Sequence, residues 1–130
     1  MATPQEHAAA AIAALQEEAD RVYDSFAPAN ADSPYIVVHT TPPYVGGATV
    51  GGRTRTRSWR IVTTCVGRTP EGVREMQAAV ERAFDGRRLL PGTTPMRREF
   101  GVTMNRDDDA PGPPMYNAVE GWKYGESKHS

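Results

Sequence analysis

The sequence predicts an α+β fold, in which an antiparallel-rich sheet of about four strands has two helices packed on one face and carries a long extended hairpin arm. Two segments repeat apolar residues every three to four positions, and four further segments read as strands. Their order is helix, strand, strand, helix, strand, strand, which gives two hairpins. One strand face also changes from arginine to apolar residues along its length.

That strand, over 54–67, begins among three alternating arginines: one precedes it, and two lie within it. Because a strand alternates its faces with a period of two, the odd positions point the same way. They are Arg53, Arg55, Arg57, Trp59, Ile61, Thr63 and Cys65. The second half of this face can be core, but unpaired guanidinium groups resist burial. We therefore expect the arginine half to leave the globular body as a charged arm.

Both predicted helices begin with a Thr-Pro cap. Thr3, Pro4 and Glu6 form a capping box, and the first helix is expected over about 4–21. Its apolar stripe contains Ile12, Leu15, Ala19 and Val22. The second helix starts at Thr69-Pro70 and ends at Asp85-Gly86, where glycine can adopt the left-handed conformation. Its stripe contains Val73, Met76, Val80, Ala83 and Phe84.

The remaining strands are expected over 35–40, 96–106 and 115–124. Residues 22–34 read as a linker that is rich in turn formers. The whole chain, 1–130, is expected to be a single domain, with a flexible loop and arm over 41–58 and a mobile tail over 125–130. In the 96–106 strand, one parity carries Met96, Arg98, Phe100, Val102 and Met104.

Composition argues against several classes of protein. Cys65 is the only cysteine, so no internal disulfide can form, and its place in a strand predicts a buried apolar side chain. No apolar run approaches the ~20 residues of a membrane span. The first residues have neither a basic flank nor an apolar signal core, which favours a cytoplasmic protein.

The net charge of −1 conceals a strong segregation of charge. Residues 1–52 carry −5, residues 53–98 carry +7, and residues 99–130 carry −3. Such a chain can meet a copy of itself with opposite charges facing each other. The alternative is that folding interleaves these blocks and cancels them.

The residues nominate no reaction, and we expect neither enzyme activity, nor a cofactor, nor a metal site. The one carboxylate cluster, Asp107-Asp108-Asp109, lacks the further ligands of a calcium loop and reads as a solvated turn or an acidic contact for arginines. Arg53, Arg55, Arg57 and Arg60 could grip phosphates beside Trp59 and Tyr44. Because the domain is not basic overall, that signal for nucleic-acid binding is weak.

Several segments resemble the tail terminator (tail completion) proteins of long-tailed actinobacterial bacteriophages. The strongest runs from Trp59 to Glu71, with the sequence WRIVTTCVGRTPE. The segments 22–24, 34–39 and 106–113 and the closing strand fit as well, so the similarity spans nearly the whole chain. The shared motifs are structural rather than catalytic.

The resemblance implies a virion protein that forms a homo-oligomeric ring, usually a hexamer, at the head-proximal end of the tail tube. Such a ring stops tube growth, contacts the tail tube protein and joins the tail to the head-tail connector protein. It is assembled in the host cytoplasm, contacts no membrane and no specific nucleic acid, and leaves room for genomic DNA to pass. Another head-tail connector or neck ring protein is the alternative, and a small nucleic-acid-binding module is a weaker one.

A ring requires two different surfaces of one subunit to meet head to tail. We expect the arm to supply one of them and to reach an acidic surface of the neighbouring subunit, at the Asp107–Asp109 turn or the first helix. The predicted interface residues are Arg53, Arg55, Arg57, Arg60, Asp107, Asp108 and Asp109.

Overall fold

The computed structural model describes residues 2–41, 44–46, 54–108 and 114–129, and gives the backbone alone for 44–46, 54–56 and 127–129. These ranges contain two helices, α1 (Pro4–Gln16) and α2 (Pro70–Phe84). The strands are β1 (Val22–Asp24), β2 (Tyr35–Thr40), β3 (Tyr44–Gly46), β4 (Thr54–Gly67), β5 (Arg97–Gly101), β6 (Asn105–Asp107) and β7 (Met115–His129).

The strands form one mixed sheet, and the predicted α+β class is confirmed. Its order is β1-β2-β4-β7-β5, with β3 also pairing with β4 and β6 also pairing with β7. Both predicted hairpins are present, because β2 pairs antiparallel with β4, and both β5 and β6 pair antiparallel with β7. The predicted count of about four strands is too low, since the described residues form a sheet of seven. The sheet is mixed because β1 pairs with β2 in parallel.

Capping fixes the starts of both helices as predicted. The Thr3 hydroxyl accepts from the Glu6 N–H at 3.2 Å, and the Thr69 hydroxyl accepts from the Gly72 N–H at 3.1 Å. Gly86 follows α2 with a φ of +72°, the left-handed conformation expected of it. The first helix ends at Gln16 and not near 21, because the chain must turn to pair β1 with β2.

The core lies between the two helices and one face of the sheet. On β4, the side chains of Trp59, Ile61, Thr63 and Cys65 are fully buried, which confirms the predicted parity. Ala118, Trp122 and Tyr124 of β7 share this face, and Leu15, Val73, Val80 and Phe84 cover it from the helices. The rings of Phe84 and Trp122 meet edge to face with their centroids 5.7 Å apart.

The opposite face of the sheet carries half-buried apolar side chains. Val62 and Val66 of β4 and Val119 of β7 lie on it, and no helix of the described residues covers it. Arg60 and Lys123 share this face and are exposed. The fold therefore has one dry face and one face open to solvent or to a partner.

The predicted parity of the 96–106 strand is wrong, because a β-bulge interrupts it. Arg98 pairs with Trp122 and Phe100 with Gly121, so Glu99 is the extra residue. The Arg98 guanidinium lies 5.6 Å from the centre of the Trp122 ring on the helix-covered face. Phe100 instead lies against Gly121 on the open face, where a Cβ on that glycine would collide with its ring.

The last strand extends further than the sequence predicted. We expected it to end at Tyr124, but β7 continues to His129 and pairs with β4 through Thr54. Residues 125–129 are therefore strand, and the mobility predicted for the tail stays a prediction. The arm is consequently built from both β4 and the end of β7.

Candidate subunit interface and its anchor

The predicted arm is a three-stranded ribbon in which β4 lies between β3 and the end of β7. In it, Tyr44–Gly46 pair with residues 56–58, while Arg55 lies opposite Lys128 and Arg57 opposite Glu126. Arg53 lies outside the described residues, and only the backbone of Arg55 is described. Both strands of the long β4–β7 pair extend along the arm, so its direction is set by the central strands of the sheet.

Arg57 marks the change from core to arm. Its side chain is half-buried, and its guanidinium lies 4.9 Å from the centre of the Trp59 ring. A cation over an aromatic face is attracted by the ring quadrupole. Arg57 thus packs against the root of the arm as well as carrying charge.

A buried polar cluster, which we call the anchor, fixes the root of the arm to α1. It consists of His7, Trp59, Tyr124 and Glu126. The rings of His7 and Trp59 stack with centroids 3.7 Å apart. The His7 Nε2 atom lies 3.1 Å from Glu126 Oε1, and Nδ1 lies 2.5 Å from the Tyr124 hydroxyl.

Proton positions in the anchor follow from its donors and acceptors. The Glu126 carboxylate can only accept, so Nε2 of His7 carries the proton and Nδ1 accepts from the Tyr124 hydroxyl. The Trp59 indole N–H donates to Glu126 at 3.3 Å, and the Ala2 N–H donates at 3.1 Å. The carboxylate therefore ties together α1, β4, β7 and the N-terminal segment.

Burial shifts the pKa values of the anchor residues. Burial lowers the pKa of His7 below its ordinary value of 6.5 and outweighs the opposing effect of Glu126, so the ring is neutral. Burial alone would raise the pKa of Glu126, but hydrogen bonds from Ala2, His7 and Trp59 bring it below its ordinary value. The pKa of Tyr124 is raised by burial and by the Glu126 charge.

Sequence reasoning missed the anchor, since the apolar stripe predicted for the first helix does not include His7. A signal for it does exist in the sequence. His7, Ala11, Ala14 and Leu15 follow the spacing of one helix face, and all four are buried. Leu15 belongs to both the predicted stripe and the buried face, whereas Ala11 and Ala14 are buried and Ile12 is half-buried.

The structure does not bring the predicted basic and acidic interface residues together within one subunit. Asp107 pairs with Met115 at the start of β7, whereas Arg55 pairs with Lys128 near its end. At ~3.3 Å per residue, the two sites are ~40 Å apart along the strand. Asp109 lies outside the described residues. These two charged regions are therefore at opposite ends of the sheet.

Some of the predicted interface charges have partners inside the subunit. Arg60 lies on the open face and makes two hydrogen bonds with the Glu99 carboxylate. The Asp108 carboxylate accepts from Arg106 at 2.7 Å. Such exposed pairs contribute little to stability and can rearrange when a partner binds.

Folding partly interleaves the segregated charges. Glu17 and Glu18 follow α1 and pair with Arg87 and Arg82, each at 2.9 Å. Hydrogen bonding with Arg87 lowers the pKa of Glu17. The acidic first block and the basic middle block thus neutralise each other in part, as the alternative interpretation predicted.

Two buried groups on the core face have no part in the predicted interface. Burial raises the pKa of the Cys65 thiol to about 12, so it packs as an unreactive apolar side chain, as the sequence predicted. Burial also raises the pKa of Glu120, despite an Arg98 guanidinium nitrogen 3.1 Å from its carboxylate.

The residues described contain no cluster suited to binding a metal ion. Neither α1 nor α2 has the length and apolar content of a membrane span.

The fold of this chain is similar to that of a solved structure. Among solved structures, the chain is similar to a chain of the "Virion of native gene transfer agent (GTA) particle". The TM-score is 0.62 with 19% sequence identity, and the match covers 95% of this chain and 90% of the other. At this identity the likeness defines a shared α+β fold. No protein-family model matches the chain, and no curated protein sequence matches it.

Proposed function

We propose that this chain is a structural virion protein that forms a ring at the head-proximal end of a phage tail tube. The ring ends tube polymerisation and joins the tail to the head-tail connector, and the role needs no chemical reaction. The observation that carries the proposal is the fold shared with a virion chain over nearly the full length of both chains. The sequence resemblance to tail terminators supports the position within the particle.

The distribution of charge supports a head-to-tail ring. A closed ring needs two different surfaces on each subunit. The basic arm and the acidic residues Asp107 and Asp108 lie at opposite ends of β7, so they do not meet within one subunit. The anchor fixes the root of the arm to the core. The arm therefore loses less conformational entropy when it binds a neighbouring subunit.

The ring is tested by the mass of the purified protein. Native mass spectrometry and negative-stain images are expected to show closed rings, with six subunits as the expected number. A monomer at all concentrations would refute the proposal. Its position is tested by antibody labelling of assembled particles, in which label on the neck away from the tail tube would favour a connector ring.

The arm is tested by charge reversal. Arg53→Glu/Arg55→Glu, with and without Arg57→Glu, is expected to weaken ring assembly and reduce its salt resistance. Arg68→Glu/Arg74→Glu is the matched control, because it places the same charge change on exposed positions outside the arm. Rings of unchanged size and salt resistance in the arm variants would show that the arm does not hold the neighbour.

A further inference from the structure

A row of three cations crosses the open face of the sheet near one edge. Lys123 of β7 lies directly opposite Arg60 of β4 on one side and Arg97 of β5 on the other. All three side chains are exposed. Cross-strand neighbours have Cβ atoms about 4.5–5.5 Å apart, and like charges at that spacing destabilise a sheet. We call these residues the basic edge.

Only part of this charge is neutralised inside the subunit. Arg60 binds Glu99, whereas Arg97 and Lys123 have no carboxylate within 4.0 Å among the described residues. Arg97, Lys123 and Ser58 also line a cleft of about 360 Å³ that opens to solvent beside Thr94. The pairing of Glu99 with Arg60 shows that a carboxylate can lie beside this row of cations. Arg97 and Lys123 have no such carboxylate among the described residues.

The opposite edge of the sheet has the complementary charge. The edge strand β1 is flanked by Asp20 and ends at Asp24, and Asp32 lies in the connection that follows. These carboxylates are exposed and have no cation partner among the described residues, although Ser25 donates a hydrogen bond to Asp24. Arg21 is a cation in the same region. We call these three aspartates the acidic edge.

We propose that the basic edge of one subunit docks on the acidic edge of the next subunit in the ring. The inference rests on the ring proposed above and names a second contact besides the arm. Because β1 and β5 are at opposite edges of the sheet, the contact is head to tail and can repeat around a closed ring. The unbalanced cations cost the free subunit stability that a neighbour's carboxylates recover on assembly.

A nucleic acid is the weaker occupant of the basic edge. The cations form a short row across three strands, with Glu99 bonded within it, and the chain carries a net charge of −1. Phosphodiester chains are held by longer basic tracks that follow the backbone.

The test is a charge-swap cycle measured by sedimentation velocity over a concentration series. Arg97→Glu/Lys123→Glu and Asp20→Lys/Asp24→Lys are each expected to raise the concentration for half-assembly by about tenfold or more. The four substitutions in one chain restore complementary charge and are expected to return it to within about threefold of the wild type. Arg68→Glu/Arg74→Glu is the control and is expected to assemble like the wild type.

The outcomes separate this inference from the ring itself. A monomeric wild type refutes the ring and this contact with it. A wild-type ring with unaffected edge variants, or without recovery in the combined chain, refutes the contact alone. Duplex DNA that binds the wild type and not Arg97→Glu/Lys123→Glu would show the basic edge to be a phosphate site.

The stability of the dilute monomer tests the repulsion within the basic edge. Lys123→Gln is expected to raise the Tm of the monomer by about 1–3 °C, and a lower Tm would show that Lys123 has an internal partner.

Discussion

At the scale of single residues, His7 is the side chain on which the arm depends most. It stacks on Trp59 and bridges Tyr124 and Glu126, so it joins α1 to the strands that form the arm. A buried histidine of this kind is kept neutral by its surroundings. Its loss would leave the Glu126 carboxylate buried with one donor fewer, which is more costly than the loss of a surface contact.

We predict that His7→Ala lowers the free energy of unfolding by about 1–3 kcal/mol, because it leaves buried partners unsatisfied. His39→Ala, at an exposed position of β2, is the control and is expected to change stability by less than about 0.5 kcal/mol. Chemical denaturation followed by tryptophan fluorescence measures both. Equal losses in the two variants would contradict the role assigned to the anchor.

The same residue gives stability a pH dependence of predictable sign. Because burial lowers the pKa of His7, the unfolded chain binds more protons between the folded pKa and 6.5, and acid favours unfolding there. Glu126, with its lowered pKa, loses its stabilising effect only at lower pH, as its own proton binds. Wild-type Tm should therefore fall from pH 7.5 to pH 5, with a smaller fall in His7→Ala; an equal fall would contradict this.

At the scale of secondary-structure elements, the sequence predicted what strong periodicity and capping determine. Both helix starts, the β2–β4 hairpin, and the buried face from Trp59 to Cys65 were predicted correctly. The strands β1 and β3 were not, because three residues are too few to show a period. Their pairing depends on neighbours distant in sequence, which override local turn propensity.

Contacts between charged side chains were harder to predict than elements. The alternation of arginines predicted a charged arm, but sequence could not show that Arg60 pairs with Glu99 or that Arg97 lies beside Lys123. Both pairings depend on strand register, and the bulge at Glu99 determines which side chains of β5 face the open side. An inserted residue of this kind leaves no sequence signal that we recognise.

The packing of Phe100 of β5 against Gly121, beside the bulge, can be tested by substitution. Gly121→Ala is expected to destabilise the protein by about 1–2 kcal/mol, since its Cβ would overlap the Phe100 ring. In a Phe100→Ala background the same substitution should be nearly neutral, because the collision is gone. Gly101→Ala, where a Cβ meets nothing within 4 Å, is the control. Thermal denaturation is measured for the wild type, for each single substitution and for the double variant. If Gly121→Ala destabilises the protein as much without Phe100 as with it, the Phe100 ring is not the obstacle.

At the scale of the whole molecule, folding converts charge segregated along the chain into charge segregated in space. Pairs such as Arg82–Glu18 and Arg87–Glu17 cancel part of it near the helices. Among the other charges, the basic edge and the acidic edge lie at opposite edges of the sheet, and the arm and Asp107–Asp108 lie at opposite ends of β7. The open face between them is partly apolar, so a ring could be held by charge or by burial of Val62, Val66 and Val119.

Salt concentration distinguishes a ring held by charge contacts from one held by burial of the apolar open face. The Debye length falls from about 10 Å at 0.1 M to about 3 Å at 1 M, so contacts between exposed charges weaken over this range. If the edges and the arm hold the ring, raising NaCl from 0.1 to 1 M should dissociate it, while the dilute subunit stays folded because its core is largely apolar. Burial of the open face would be insensitive to NaCl or strengthened by it. Sedimentation velocity at the two salt concentrations measures the difference, and rings that tighten at 1 M would place the main contact on the open face.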